Sequence, residues 1–219
     1  MMKVMAFNGS PRKNWNTATL LQNALEGAAS QGAETELIHL YDLDFKGCIS
    51  CFACKTNVCE CYGRCAPKDG LTPVFGKIER SDAIILGSPI YFGNVSGEMR
   101  SFMERLLFPY LMYSEPPRSL FPGKIKTGFI YTMNTTEEQR MERGYLQLFT
   151  HNEMVLKMIF GTSEYICGFD TFQFDDYSKV VSDRFDPEKK AQRREEIFPK
   201  DCLKAFQMGA GLVSRGDAK

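Results

Sequence analysis

The stretch Met5-Ala-Phe-Asn-Gly-Ser-Pro-Arg-Lys-Asn-Trp-Asn-Thr17 opens as an extended apolar run, breaks at Gly9 and continues through small polar residues. Apolar residues then recur at helical spacing to about Ser30, so the stretch predicts a strand, a polar loop and a helix. Unpaired backbone N–H groups and the positive end of the helix dipole make a helix N terminus a phosphate site. The loop matches neither a Walker loop nor a G-x-G-x-x-G fingerprint. A plain turn with an Asn or Thr helix cap is the alternative interpretation.

Further along the chain, strands alternate with helices, which is typical of a parallel sheet with right-handed crossovers. The predicted strands are 2–8, 34–40, 82–87, 125–133 and 165–174, and the predicted helices are 17–30, 71–78, 99–107, 137–160 and a C-terminal segment that begins or bends at Pro199. The pattern predicts one doubly wound α/β domain over residues 1–219, with helices on both faces of a five-stranded sheet. A cysteine-rich insertion without clear periodicity occupies about 41–70.

Composition excludes several classes of protein. The 219 residues include 27 Lys and Arg and 27 Asp and Glu, so the formal net charge is zero and no electrostatic footprint for nucleic acid or anionic membrane is expected. No apolar run approaches the roughly 18 residues of a membrane span, and no signal peptide is evident. A cytoplasmic protein is therefore expected.

Two further loops follow apolar strands, and ligands of open parallel sheets bind beyond the carboxyl ends of the strands. Pro89-Ile-Tyr-Phe-Gly93 combines a rigid turn, two aromatic rings and a glycine, so a flat ligand could approach closely there. Thr132 and Asn134 add polar partners after another strand. Together the three loops predict a site for a ligand with one phosphate end and one planar aromatic end, a description that flavin mononucleotide fits. The alternative is that Tyr91 and Phe92 only pack in a core or interface.

The motifs Gly9-Ser-Pro-Arg-Lys-Asn-x-Asn-Thr17 and Gly87-Ser-Pro-Ile-Tyr-Phe-Gly93 resemble those of the flavodoxin-like NAD(P)H-dependent FMN reductases, over most of residues 1–135. The resemblance implies strand order 2-1-3-4-5, non-covalently bound FMN and a homodimer or homotetramer. The cofactor-binding residues that it implies are Ser10, Arg12, Asn16 and Thr17 for the phosphate, and Pro89, Ile90, Tyr91, Phe92, Gly93, Thr132, Met133 and Asn134 for the ring. Trp15 departs from the small residue that is common in relatives, and it either covers the flavin or packs on the loop.

Six of the eight cysteines form the run Cys48-x2-Cys51-x2-Cys54-x4-Cys59-x-Cys61-x3-Cys65. Three cysteines at x2 intervals and a fourth shortly after allow a short loop to wrap one [4Fe–4S] cluster, and Cys48-Ile-Ser-Cys51-Phe-Ala-Cys54 resembles the iron–sulfur flavoprotein branch of the family. We predict Cys48, Cys51, Cys54 and Cys59 as the metal ligands, with Cys61 as the alternative fourth. Zinc, a redox-active dithiol or no metal are the other interpretations.

The predicted function is that of an FMN-binding oxidoreductase of the NAD(P)H-dependent FMN or quinone reductase type, or of an iron–sulfur flavoprotein. Electrons pass from NAD(P)H through the flavin to a small-molecule or protein acceptor. Because the cofactor supplies the reactivity, no catalytic side chain is predicted. Two alternatives remain at this stage: a flavodoxin-type electron carrier without a small-molecule substrate of its own, and a zinc-stabilised binding module without flavin.

Overall fold

The computed structural model describes residues 1–58, 60–183 and 185–214, and its centre is a parallel sheet. The five main strands are β1 (Lys3–Asn8), β2 (Glu34–His39), β3 (Ala83–Tyr91), β4 (Ile125–Thr132) and β5 (Gly161–Gly168). They pair in the order β2-β1-β3-β4-β5, and every neighbouring pair is parallel. The predicted doubly wound α/β class and the strand order 2-1-3-4-5 are therefore confirmed.

Helices cover both faces of the sheet. They are α1 (Asn16–Ser30), α2 (Thr72–Ile78), α3 (Gly97–Leu107), α4 (Tyr145–Phe160), α5 (Pro187–Glu196) and α6 (Phe198–Val213). One apolar core joins α1 and α6 to the sheet face that carries Ala6 and Ile85, and the other joins α2, α3 and α4 to the face that carries Phe7 and Leu86. Alternate residues of the same strands thus enter opposite cores, as the period of two requires. Within the residues that the structure describes, none of the helices has both the length and the apolarity needed to cross a membrane.

The start of α3 follows the sequence closely. Ser96 lies at the N-cap, and its Oγ accepts a hydrogen bond from the backbone N of Met99 at 3.2 Å, as the sequence predicts. The apolar positions of α3 recur at helical spacing and are buried: Met99, Phe102, Met103 and Leu106. The start of α3 is therefore fixed twice, by the Ser96 hydroxyl that caps it and by the burial of Met99 in the core.

Several element boundaries differ from the prediction: β3 continues to Tyr91 rather than ending at residue 87, and contacts distant in sequence end β5 early. The fifth strand was expected at 165–174 but ends at Gly168, and the chain beyond it bonds instead to the segment that follows β4: Asp170 N donates to Thr135 O and Thr171 N to Met133 O, each at 2.9 Å. The helix expected at 137–160 begins only at Tyr145.

The contact between α1 and α6 is a close approach of two backbones. A Cβ atom on Gly209 would lie 1.7 Å from the carbonyl oxygen of Ala24, and one on Gly27 would lie 1.9 Å from that of Phe206. No side chain fits at either position unless the helices separate. The glycine on each helix therefore sets the spacing of this layer.

We expect Gly209→Ala to lower the free energy of unfolding by about 3 kcal/mol, because the methyl group forces the two backbones apart. Gly211→Ala is the matched control, since Gly211 lies in the same helix with nothing within 4 Å of its added Cβ. There the better helix propensity of alanine should leave stability unchanged or raise it by up to about 1 kcal/mol. Urea unfolding of the two variants is the measurement, and equal effects would refute the close-packing argument.

Candidate functional site

Three segments lie at the carboxyl ends of β1, β3 and β4, at one edge of the sheet. They are named loop 1 (9–15), loop 2 (88–96, which includes the last residues of β3) and loop 3 (132–135, which begins with the last residue of β4). A hydrogen bond from Ser96 Oγ to Gly9 O at 2.5 Å joins loop 2 to loop 1, and one from Gly9 N to Gly87 O at 2.8 Å joins loop 1 to β3. The hydroxyls of Thr17 and Thr132 lie 2.7 Å apart and join the start of α1 to loop 3. The structure therefore brings the three predicted cofactor-binding segments together.

Loop 1 leads into α1, whose first backbone N–H groups have no side-chain cap among the described residues. Ser10 N donates to Asn8 Oδ1 at 3.0 Å, and Ser10 Oγ accepts from Arg12 N at 3.2 Å, so the turn is organised by local bonds. Within the described residues, α1 has no side-chain cap, and its first turn contains no acidic residue. Its first backbone N–H groups thus have no intrahelical acceptor and can bind an anion.

Trp15 packs on loop 1 and ties it to the segment after β5. The guanidinium carbon of Arg12 lies 3.8 Å from the centre of the indole, and Trp15 Nε1 donates to Phe172 O at 2.9 Å. Arg12 Nη1 also donates to Gln173 O at 2.6 Å. Trp15 and Arg12 therefore link loop 1 to residues that lie far away in sequence.

The side chain of Asn16 is occupied by protein partners. Its Nδ2 donates to Phe172 O at 2.6 Å, and its Oδ1 accepts from Arg194 Nη1 at 3.0 Å. Asn16 and Thr17 are both buried. At these two positions the backbone N–H groups, rather than the side chains, point to an anion site.

Loop 2 contains a tight hairpin with an aromatic residue in an unusual conformation. The last residues of β3 pair antiparallel with Asn94–Val95, and the two-residue turn between them has φ +48° at Phe92 and φ +83° at Gly93. Such turns favour glycine and asparagine, and bulky residues held at positive φ cluster at functional sites. Phe92 is fully exposed, with a relative accessibility of 110%, and Tyr91 is about half exposed at 46%. Neither ring belongs to the core of this chain.

Arg12 connects the charges of loop 1 to the aromatic residues of loop 2. Desolvation raises the pKa of the Tyr91 hydroxyl, and the positive charge of Arg12 opposes that rise. The guanidinium therefore acts on Tyr91 through space while it stacks on Trp15. The cation of Arg12 and the rings of Trp15 and Tyr91 therefore lie together at the edge where loops 1 and 2 meet.

Loop 3 is held by a buried cation. Lys190, on α5, donates to Asn134 Oδ1 and to Asp170 Oδ1, and only 7% of its side chain is exposed. This contact is hard to predict from sequence, because Lys190 stands in a charged segment that is typical of a solvent-exposed helix. The only local signal was that Lys190 and Arg194 are four residues apart and so share one helix face.

The cysteine insertion lies against α3. Free thiols of four cysteines line one cavity of about 20 Å³ together with Arg105 and Glu104: Cys48, Cys51, Cys54 and Cys65. Cys59, the predicted fourth ligand, lies outside the described residues, and Cys61 is disulfide-bonded. In the described ranges no group of three or more His, Cys, Asp or Glu side chains is already arranged around a metal position.

Arg105 anchors this cysteine group. Its side chain is 2% exposed, its Nε donates to Cys65 Sγ at 2.8 Å, and its Nη1 contacts Asp69 Oδ2 at 2.8 Å. Burial raises the pKa of the Cys65 thiol, and the hydrogen bond and charge of Arg105 oppose that rise. Burial also raises the pKa of Cys54. A soft metal group that binds here must displace protons from at least these two thiols.

A family model for NADPH-dependent FMN reductases matches residues 2–165. An iron–sulfur flavoprotein of Methanocaldococcus jannaschii is 41% identical over 104 residues, which are 48% of this chain and 51% of that protein. An iron–sulfur flavoprotein of Methanosarcina thermophila is 29% identical over 104 residues, or 48% of this chain and 52% of that protein. The matches thus span about half the length of these curated relatives.

Two solved structures share the fold. A NAD(P)H:quinone oxidoreductase from Methanothermobacter marburgensis superimposes with a TM-score of 0.70 at 16% identity and covers 96% of this chain and 98% of its own. An FMN-dependent NADH-azoreductase from Bacillus anthracis superimposes with a TM-score of 0.64 at 10% identity, over 97% and 100% of the two chains. The fold is therefore flavodoxin-like, and the match over residues 2–165 shows that the chain belongs to the family of NADPH-dependent FMN reductases.

Proposed function

We propose that the protein is an FMN-dependent oxidoreductase that takes electrons from a nicotinamide nucleotide and passes them to an acceptor through non-covalently bound flavin. The observation that carries the proposal is the meeting of three loops, one with an uncapped helix N terminus and one with an exposed aromatic turn. These are the two kinds of surface that a ligand with a phosphate and a flat ring system requires. Membership of the reductase family supports the same assignment.

In this proposal the phosphate binds at the start of α1. The backbone N–H groups of residues 16–18 are the main donors, and the helix dipole favours the negative charge. Ser10 offers a hydroxyl at the same edge, Thr17 acts from its backbone because its hydroxyl contacts that of Thr132, and the positive charge of Arg12 acts on Tyr91 between loops 1 and 2. Asn16 acts from its backbone, because both ends of its side-chain amide are bound to other residues.

The isoalloxazine ring binds along loops 2 and 3. Residues 89–93 provide the turn and the aromatic rings, and residues 132–134 provide polar groups on the neighbouring strand, where Pro89 is paired with Thr132. Bound FMN supplies the hydride acceptance and electron release of the reaction. The chain's own residues bind the phosphate, orient the ring and shield one side of it from water.

The test of the proposed function is an absorption spectrum of protein purified without oxygen, followed by steady-state oxidation of NADH and NADPH with a quinone or free flavin as acceptor. Flavin bands and sustained turnover would support a reductase. Flavin bands without turnover on any small acceptor would indicate an electron carrier. A colourless protein that does not take up added FMN would overturn the proposal.

Phe92→Gly separates the role of the ring from the stability of the fold. Glycine adopts a φ of +48° without strain and Phe92 is fully exposed, so the unfolding free energy of the flavin-free protein should stay within about 0.5 kcal/mol of its original value or increase. If the phenyl ring flanks the flavin, its removal should weaken FMN binding about tenfold, since stacking on an aromatic side chain contributes roughly 1–3 kcal/mol.

Val181→Ala is the control for Phe92→Gly, because Val181 is equally exposed, at 104%, and lies outside the three loops. Titration of the flavin-free protein with FMN, followed by flavin fluorescence, is the measurement. Equal dissociation constants for the two variants would show that the ring of Phe92 takes no part in binding.

We also propose that Cys48, Cys51, Cys54 and Cys65 hold a [4Fe–4S] cluster. All four are free thiols that line one cavity, and four cysteines close in space are the usual ligand set of such a cluster. The names of the relatives in Methanocaldococcus jannaschii and Methanosarcina thermophila support an iron–sulfur group. Zinc is the competing occupant, because four thiolates suit it equally well. Cys65 thus replaces Cys59 and Cys61 in our ligand set.

The choice of fourth ligand can be tested with Cys65→Ser and Cys61→Ser. We expect the original protein, isolated without oxygen, to contain about four irons per chain and the Cys65 variant to lose most of its iron and acid-labile sulfide. Cys61→Ser should retain both, and Cys202→Ser, on α6, controls for loss of a thiol elsewhere. Loss of iron in the Cys61 variant alone would contradict the assignment, and stoichiometric zinc without sulfide would replace the cluster by a zinc site.

A further inference from the structure

We propose that Lys190 and Arg194 are positioning residues that clamp loop 3 and the start of α1 in the arrangement that binds FMN. The two cations lie on one face of α5, and each donates to the side-chain amide of a predicted flavin-site asparagine. This inference rests on the proposed function and extends it to a helix outside the residues that the family model matches. In this inference, α5 holds residues of the FMN site in place although it lies outside the three loops.

The Lys190 contact fixes the direction of the Asn134 amide. Because Lys190 occupies Oδ1, the Nδ2 end of the amide is the end directed elsewhere and is a donor. Lys190 also pairs with Asp170 and lies 3.5 Å from Thr171 O, so it reaches the segment after β5 as well. A lysine this deeply buried is stable only when it is paired, and the pairing in turn immobilises its partners.

Arg194 performs the corresponding task at α1. Its Nη1 donates to Asn16 Oδ1 at 3.0 Å, and the other end of the same amide donates to Phe172 O. The guanidinium carbon lies 4.1 Å from the centre of the Phe198 ring, which limits the freedom of the side chain. The first residue of α1 is thereby tied to both α5 and the segment after β5.

Arg194 places a positive charge at the N terminus of α1, where the helix dipole disfavours cations. The N terminus of α1 already carries partial positive charge, and stability alone favours an acidic residue there. Within the described residues, the first turn of α1 has neither an acidic residue nor a side-chain cap, yet a cation is bonded to its first residue. A bound phosphate resolves this accumulation of positive charge.

The two contacts make one clamp because α5 places them one turn apart. Residues i and i+4 share a helix face, so a single helix reaches both loop 3 and α1. Arg193, between them, is directed to α6 instead, where its Nη2 lies 2.7 Å from Asp201 Oδ2. The same helix thus provides a matched control, a buried ion pair that supports the fold without contact to a predicted flavin residue.

The experiment compares Lys190→Met, Arg194→Met and the control Arg193→Met, using flavin-free protein titrated with FMN and with riboflavin, which lacks the phosphate. We expect Lys190→Met to weaken the binding of both ligands about tenfold, because loop 3 faces the ring. Arg194→Met should weaken FMN about tenfold and riboflavin less than twofold, because it acts at the phosphate end. Arg193→Met should lower thermal stability and leave both dissociation constants within twofold.

The outcomes separate this inference from the proposed function. An original protein that binds no FMN overturns both. An original protein that binds FMN, with dissociation constants unchanged in the Lys190 and Arg194 variants, overturns the clamp alone. The clamp is also overturned if all three variants weaken both ligands in proportion to their loss of thermal stability, because that result describes a purely structural role.

Discussion

The hydroxyl of Ser96 holds two loops of the site and the start of α3 together. Its Oγ donates to Gly9 O at 2.5 Å and accepts from Met99 N at 3.2 Å, so it connects loop 1 to the first turn of α3. The backbone N of Ser96 in turn donates to Ser88 Oγ at 2.9 Å, which closes loop 2 on itself. A Cβ on Gly9 would lie 2.7 Å from the Cβ of Met99, so only glycine permits this approach. One serine and one glycine thereby fix how two of the three loops meet.

Much of this arrangement could be predicted from sequence because its causes are local. The apolar runs of β1 and β3, the spacing of α1 and the cap at Ser96 all lie within a few residues of the structure that they specify. Parallel topology then requires that their carboxyl ends share an edge. The convergence of the three loops therefore followed from strand order.

The rest depended on contacts between distant parts of the chain. Aromatic residues at 169–174 favour a strand by propensity, but the segment bonds to residues 133–135 instead of extending β5. Cys65 lies eleven positions beyond Cys54, and a hydrogen bond from the buried Arg105 holds it on the cavity that the other thiols line. The sequence around Lys190 indicates a surface charge, and only its contacts with Asn134 on loop 3 and Asp170 after β5 show that it is buried. In each case the deciding partner lies at least 19 residues away.

The bond between Asn16 and Arg194 has a consequence for the nascent chain, because these residues are 178 positions apart. At ribosomal rates of 5–20 residues per second, the start of α1 waits roughly 10 to 40 s for that partner during translation. The apolar face of α1 that α6 covers is without its partner for the same interval. The side-chain support of Asn16 and the burial of this face of α1 are therefore completed only after α5 and α6 have been synthesised.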